Sequence, residues 1–331
     1  SEMCIRDRID TIGKKMTVCQ LYAKQIRHRG NVRYNTKNGR KRLMKLLEED
    51  KLGGCPIDSV KLSDAKEWAI RMKEKGISYK TISNDKRSLK AAFYTAIQDD
   101  CIRKNPFDFQ LNTVIEDDTE PKVPLTPAQE ESFLSFAQND KVYQKYYDEL
   151  IILLGTGLRI SELCGLTDTD INFENRIINV DHQLLRSAET GYYIETPKTK
   201  SGIRQIPMSE KVYEAFNRVL KRRRGAKAVT IDGYSNFLFL NRDGYPKTAT
   251  NYDGMFRGLA KKYNKYHEEA LPKVMTPHTL RHTFCTNMAN AGMNPKALQY
   301  IMGHSNITMT LNYYAHATFD SAKAEMLRIA A

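Results

Sequence analysis

Between His278 and His316 the sequence reads His278-Thr-Leu-Arg281-His282, then Gly303-His304-Ser305-Asn306, then Asn312-Tyr313-Tyr314-Ala315-His316. Histidines, an arginine and a tyrosine in so short a stretch can surround one phosphodiester. The guanidinium holds charge, the imidazoles move or share protons, and a phenol attacks. Thr276-Pro277 is a helix start, from which His278 and Arg281, three apart, share one face of the first turn. His278 and His282 repeat the spacing of the zinc helix His-Glu-x-x-His, but Thr279 stands where its general-base glutamate would be. Metal hydrolysis is therefore set aside, and no metal or cofactor is expected. Taken alone, the two histidines read equally well as ordinary helix residues.

The rest of the chain has to position these groups. It has 331 residues, 41% hydrophobic and 27% charged, enough for one or two domains with real cores. No run of about eighteen apolar residues and no signal peptide occurs, which points to a cytoplasmic protein with no membrane partner. The six cysteines are scattered, without a Cys-x-x-Cys pair, and read as reduced core thiols. Residues 1–13 show no useful period and are expected to be a disordered or non-native leader, Ser1–Arg8 resembling translated adapter sequence.

Residues 14–114 read as a small all-helical bundle. Val18, Leu21, Tyr22 and Ile26 follow helical spacing, as do Leu43, Leu46 and Leu47. Ser63 is placed as the cap of a helix carrying Trp68, Ile70 and Met72, and another begins near Tyr79 with Ile82, Leu89 and Phe93. Residues 1–114 hold 25 Lys and Arg against 14 Asp and Glu, so +11 of the net +13 lies in this third. Double-stranded DNA is the natural partner, because each neutralised phosphate releases counterions. Lys80, Lys86, Arg87 and Lys90 recur at helical intervals and are the candidate phosphate contacts, although a merely solvated face would look the same.

Residues 115–125 are acidic and proline-bearing, a linker. From 126 to 331 a second domain is expected. Thr126-Pro127 starts a helix, and the apolar run Leu150–Leu154 leads to Gly157-Leu-Arg159-Ile-Ser161-Glu162, where a helix ends in glycine, Arg159 stands at the bend and Ser161 caps the next helix. An arginine anchored between helices suits a fixed phosphate clamp, though a structural pair with Glu162 is as good a reading. Ile177–Val180, Tyr192–Glu195 and Ile203–Pro207 read as three strands of one antiparallel sheet, with Lys198 and Lys200 on the turn between the last two. A lysine there can protonate a leaving oxygen.

Five motifs in this order, Gly157-Leu-Arg159-Ile-Ser-Glu-Leu, Pro197-Lys198-Thr-Lys-Ser-Gly, His278-Thr-Leu-Arg281-His282, Gly303-His304-Ser and the late Tyr313, resemble the tyrosine recombinase (phage integrase) family, and within it the integrases of conjugative transposons. The resemblance runs from about residue 15 to the end. It implies a helical, SAM-like core-binding domain, then a mixed, mainly helical catalytic domain with a small antiparallel sheet, together closing as a clamp on duplex DNA. It also implies a site-specific recombinase that integrates and excises a mobile element through a 3′-phosphotyrosyl intermediate, without metal or ATP. By position, Arg159 and Arg281 would hold the non-bridging oxygens, Lys198 would protonate the leaving 5′ oxygen, His278 would assist proton transfer, His304 would bond the phosphate, and Tyr313 would attack. Tyr314 is the alternative nucleophile, because Tyr314 with His316 fits the family's frequent Tyr-x-His ending. Relatives often carry an arm-binding domain ahead of the first of these domains, which this chain is expected to lack. The amphipathic stretch Thr318–Ile329 would dock on another protomer on DNA, and a small excisionase is a further possible partner. A DNA-binding protein without chemistry would explain the basic third but not the five motifs; a topoisomerase or telomere resolvase would share the chemistry and differ in outcome.

Overall fold

The structure, a computed structural model, describes residues 15–30, 32–197, 199–223, 225, 229–314, 323, 326 and 327. It divides into two compact units, Ser1–Pro121 and Lys122–Ala331.

The first unit is built on four helices, α1 (Val18–His28), α2 (Tyr34–Glu48), α3 (Leu62–Glu74) and α4 (Tyr79–Gln98). Thr17 starts α1 with a capping box in which its hydroxyl accepts from the Gln20 amide while the Gln20 side chain accepts from the Thr17 amide. Val18, Leu21, Tyr22 and Gln25 then form its buried stripe. Ser78 caps α4. Trp68, Phe93 and Phe107 make the aromatic centre of this core, Trp68 meeting Phe107 edge-on at 5.7 Å between ring centroids. Asp50 fixes the turn after α2 through a two-pronged pair with Arg71, at 2.8 and 2.7 Å. The start of α3 differs from expectation. The cap is Lys61, whose amide donates to Asp64, and Ser63 lies inside the helix, because the Asp64 carboxylate is the stronger acceptor for the exposed first-turn amides.

The second unit is arranged around α6 (Tyr147–Thr156), whose residues Leu150–Leu154 are all buried. A helix apolar on every side needs neighbours on every side. It packs against α5 (Pro127–Asn139), α8 (Glu210–Arg223) and α10 (Pro277–Asn290). Its polar start is tied down by buried acids, Asp148 to Arg218 and Arg222 at 2.7 and 2.6 Å and Glu149 to Lys247 at 2.5 Å. It ends at Gly157, whose φ of +64° is the left-handed cap that turns the chain into α7 (Ile160–Gly165). Helix α9 (Ala249–Tyr266) completes the core.

The sheet is two sheets. Strands β1 (Ile171–Asn172), β2 (Ile177–Val180) and β5 (Arg204–Pro207) are antiparallel in the order β1-β2-β5, with Ile178 opposite Ile206. The expected partner of β5, β4 (Gly191–Glu195), pairs instead with β3 (Gln183–Ser187) in a separate hairpin, Leu185 facing Tyr193. The segment that holds Lys200 therefore crosses between sheets and is no hairpin tip. Strand β3 was missed because its polar members Gln183, Arg186 and Ser187 mask the two-residue alternation. At the start of β3, His182 is buried with Nδ1 bonded to Asp181 at 2.6 Å and Nε2 to the Gly165 carbonyl at 2.7 Å, which ties the hairpin to α7. Asp170, Asp181 and His182 are the one cluster of metal-ligand type among the described residues, yet both imidazole nitrogens already have protein partners.

Gly157→Ala should test the central turn. A Cβ there would stand 2.5 Å from Phe284 Cδ1 on a left-handed backbone, so a loss of roughly 2–4 kcal/mol is expected in denaturant unfolding. Gly191→Ala, left-handed at φ +70° but with open space around it, should cost only about 1 kcal/mol. Equal losses would show that packing at Gly157 plays no part.

Candidate active site

Three segments of the second unit converge on the C-terminal end of α11 (Pro295–Met302), which stops at the left-handed Gly303, φ +61°. Three consecutive carbonyls there, those of Ile301, Met302 and Gly303, accept hydrogen bonds from three different arginines. Arg204 Nε donates to Ile301 at 2.6 Å, Arg281 Nη2 donates to Met302, and Arg159 Nη2 donates to Gly303 at 3.0 Å. Arg281 Nη1 also donates to the Gly157 carbonyl at the end of α6. Both helix ends carry unsatisfied carbonyls and partial negative charge, so guanidinium groups are at home there.

One carboxylate holds two of the cations. Glu162 accepts from Arg159 at its amide and at Nη1, both 2.8 Å, and from Arg204 through two prongs of 3.0 and 2.9 Å. Burial works to raise the Glu162 carboxyl, but the bonds and charge of Arg204, then the charges of Arg159 and Arg281, bring it to about 2. Arg159 is itself the residue that precedes α7 as its cap, with Ser161 one turn position later donating to Gln183 Oε1 at 2.9 Å, so Ser161 does not cap the helix as expected. The carboxylate of Glu162 outcompetes a hydroxyl for the first free amides. The Arg159 side chain remains 38% exposed, whereas that of Arg204 is 0% exposed. The first can meet a ligand and the second cannot. Arg281 is buried, and desolvation, then Arg159, pull it down to about 9 against the opposing charge of Glu162, which leaves it charged at neutral pH.

His304 follows directly on Gly303. It is buried, with Nδ1 bonded to Thr310 Oγ1 at 2.9 Å, and Nε2 has no partner among the described residues. Desolvation, then Arg281, Arg159 and Arg204, hold it down to about 4. His278 stands at the start of α10, open to solvent; crowding by protein, then Lys122 and Arg281, bring it likewise to about 4. Both imidazoles are neutral at pH 7 beside standing positive charge, which an anion would relieve. His282 Nε2 donates to the Lys122 carbonyl at 3.1 Å, and its buried Nδ1 has no partner among the described residues.

The two tyrosines follow the short helix α12 (Thr308–Leu311) and pack on Phe284, Cys285 and Met302. They differ at the hydroxyl. Tyr314 donates to the Met293 carbonyl, whereas the Tyr313 hydroxyl makes no hydrogen bond among the described residues. The Tyr313 ring meets His282 edge-on at 4.9 Å. Burial and then Cys285 raise its phenol above the ordinary range, and Arg281 opposes them. Lys198 and His316 lie outside the described residues; Lys200 is exposed in a single turn of 3-10 helix, Lys200–Gly202. The structure thus gathers Arg159, Arg281, His278, His304 and Tyr313 in one region. The residue that sequence reasoning missed is Arg204, which looked like one more polar position of an alternating strand.

In the first unit the four candidate cations of α4 are not equivalent. Lys90 pairs with Asp108, and Lys86 lies 4.5 Å over the Phe109 ring with its ammonium lowered by desolvation and then by Lys90. Lys80 and Arg87 are exposed and form no ion pair among the described residues.

Guanidinium groups gathered at two helix ends, neutral imidazoles and a phenol whose hydroxyl makes no hydrogen bond among the described residues suit an anionic ester and a phenolic nucleophile. The phage integrase family matches residues 124–321. The transposase from transposon Tn916 of Enterococcus faecalis is 69% identical over 325 residues, covering 98% of this chain and 80% of the relative. Solved complexes of the Tn1549 transposon integrase are similar too. One with circular intermediate DNA has a TM-score of 0.90 and 78% identity over 95% of this chain and 99% of that one. Another, with transposon right end DNA, has a TM-score of 0.89 and 78% identity over 96% and 100%. A lambda integrase dimer on its core site, 15% identical with a TM-score of 0.61, shares the fold. The chain belongs to the phage integrase family. It is a tyrosine-type site-specific recombinase acting on DNA, and none of its described helices is long and apolar enough to cross a membrane.

The depressed histidines set a pH dependence. The unfolded chain takes up protons near the ordinary value of 6.5 and the folded one near 4, so stability is full above pH 6.5 and lost as pH falls towards 4. Buried His304 should account for on the order of 3 kcal/mol of that loss, and solvent-screened His278 for less. Melting temperatures of the DNA-free protein between pH 4 and 7 should fall on acidification, less steeply in His304→Gln; identical slopes would contradict the assignment.

Proposed function

We propose that the chain integrates and excises a mobile element of the conjugative-transposon kind, with Tyr313 as nucleophile. Attack of its phenolic oxygen on the scissile phosphorus forms a 3′-phosphotyrosine and releases the 5′ oxygen, conserving the bond for religation. Arg159 and Arg281 hold the non-bridging oxygens and stabilise the charged pentacoordinate state. His304 Nε2 bonds the phosphate, His278 assists the tyrosine's proton, and Lys198 protonates the leaving oxygen.

The observation that carries the choice of tyrosine is the free Tyr313 hydroxyl against the engaged one of Tyr314. The Tn1549 integrase complexes support it. Among them are an arginine-to-lysine and a tyrosine-to-phenylalanine variant, the two positions separated along that chain by the same number of residues as Arg159 and Tyr313 here. Neighbours on a helical turn point about 100° apart, so one tyrosine at a time can face the phosphate.

The partners follow as part of the same reading. DNA at element ends and target is the substrate, and Lys80 and Arg87 make the phosphate contacts of α4, with Lys86 and Lys90 restrained by their own neighbours. The segment Thr318–Ile329 lies mostly outside the described residues, but Met326 and Leu327 are 70% and 64% exposed, and we assign it to docking on a neighbouring protomer. A small excisionase sets direction, and the protein works in the cytoplasm.

A nicked suicide duplex carrying an element end should trap covalent protein with Tyr314→Phe and none with Tyr313→Phe; the reverse outcome moves the nucleophile by one residue. Lys198→Ala should lose far more cleavage than Lys200→Ala. For DNA affinity, Lys80→Ala and Arg87→Ala should each reduce the salt slope by about 1 unit. Lys90→Ala should change it less, and a larger effect from Lys90 would overturn this division of labour.

A further inference from the structure

We propose that Arg204 is a positioning residue for strand cleavage: by occupying Glu162, it keeps the Arg159 guanidinium available to the scissile phosphate. The inference rests on the role of Arg159 given above and adds a residue that never meets DNA.

Three observations point to it. First, Arg204 has no exposed side-chain surface, so it is no ligand for phosphate, yet all three of its guanidinium nitrogens donate. Second, its partners come from three separate places. They are the Glu162 carboxylate on α7, the Gly202 carbonyl at 3.0 Å at the foot of the lysine-bearing turn, and the Ile301 carbonyl two residues before Gly303. Third, the fit leaves no slack, since a Cβ on Gly303 would stand 3.1 Å from Arg204 Nη1 and 3.2 Å from Cζ.

Consider what Glu162 would do alone. A carboxylate and a guanidinium close enough to touch prefer a two-pronged pair. Glu162 now gives Arg159 one side-chain contact, at Nη1 on Oε1, because Oε1 also accepts from Arg204 Nη1 and Oε2 accepts from Arg204 Nη2 and from the Arg159 amide. Arg159 Nη2 is left to the Gly303 carbonyl. Without Arg204, the buried carboxylate would turn its full charge on Arg159, drawing it from solvent and from any phosphate. The Ile301 carbonyl would lose its donor as well, loosening the turn that carries His304. Arg204 thus balances the one anion in the cluster while holding the lysine turn, α7 and the end of α11 together.

The test compares two scissile linkages in the full chain. Arg204→Met and Arg204→Lys are assayed for covalent adduct formation under single turnover, and for DNA binding, on a suicide duplex. One duplex carries the ordinary phosphodiester, and the other carries a methylphosphonate, in which methyl replaces one non-bridging oxygen so that the linkage is uncharged and asks less of Arg159. Arg204→Met should slow cleavage of the phosphodiester by about 100-fold with DNA affinity changed less than about 3-fold, and should slow the methylphosphonate far less. Arg204→Lys keeps the charge but not the fork and should fall between. If the methionine variant gives no cooperative melting transition, the lysine variant carries the comparison. The variant Glu162→Gln with Arg204→Met, which removes both members of the buried Glu162–Arg204 pair together, repeats it. In that pair the Glu162 anion is gone, so cleavage should recover at least 10-fold over Arg204→Met alone. Equal slowing of both linkages, no recovery in the pair, or loss of DNA binding in step with rate would overturn the proposal and make Arg204 merely structural. Absence of any adduct with the unaltered protein would instead remove the parent reading and this one with it, so the two failures are told apart.

Discussion

Bringing like charges together is the problem this catalytic unit solves. Arg159, Arg204 and Arg281 would repel one another, and among the described residues one carboxylate, Glu162, stands between them. The balance comes from backbone. Carbonyls of Ile301, Met302 and Gly303 at the end of α11, and of Gly157 at the end of α6, each accept from a guanidinium. Helix ends would otherwise leave those oxygens unsatisfied, so the same bonds that assemble the cations also terminate the helices. The cluster stays net positive, which is the state a phosphate relieves.

That constraint explains features that look unrelated. Gly157 and Gly303 are both left-handed because each must end a helix where an arginine reaches its last carbonyls, and neither has room for a Cβ. His304 by burial, His278 by the protein crowded around it, and both by neighbouring cations, are neutral at pH 7 because the charged form is disfavoured. A negative charge placed beside them would act in the opposite direction and raise their proton affinity. A phosphate on this site therefore changes the acid–base character of its own surroundings.

The two units carry their charge differently. The basic third carries most of the net charge, while the catalytic unit spends its arginines on hydrogen bonds to itself. Within the first unit the charge is further sorted. Lys90 is paired with Asp108 and Lys86 is tucked over Phe109, which leaves Lys80 and Arg87 on the open face of α4. A count of lysines overstates the surface that DNA can use.

Much of this was legible in the residues. Periodicity placed α1, α2 and α4, because each carries a buried stripe at helical spacing, the Thr-Pro start signals placed α5 and α10, and five ordered motifs brought Arg159, His278, Arg281, His304 and Tyr313 to notice. Local chemistry could not place what depends on distant partners. Ser63 and Ser161 look like caps, but carboxylates three residues from the true caps took the amides first. The strand Gly191–Glu195 reads as a neighbour of Arg204–Pro207, yet a strand with weak alternation claimed it. Neither Arg204 nor the difference between the Tyr313 and Tyr314 hydroxyls can be seen along the chain. The residue types and their order determined the chemistry, since only certain side chains can hold, protonate or attack a phosphate. Which of them are free to do so was decided by tertiary structure, because a hydrogen bond already made inside the protein is one no longer available to a substrate.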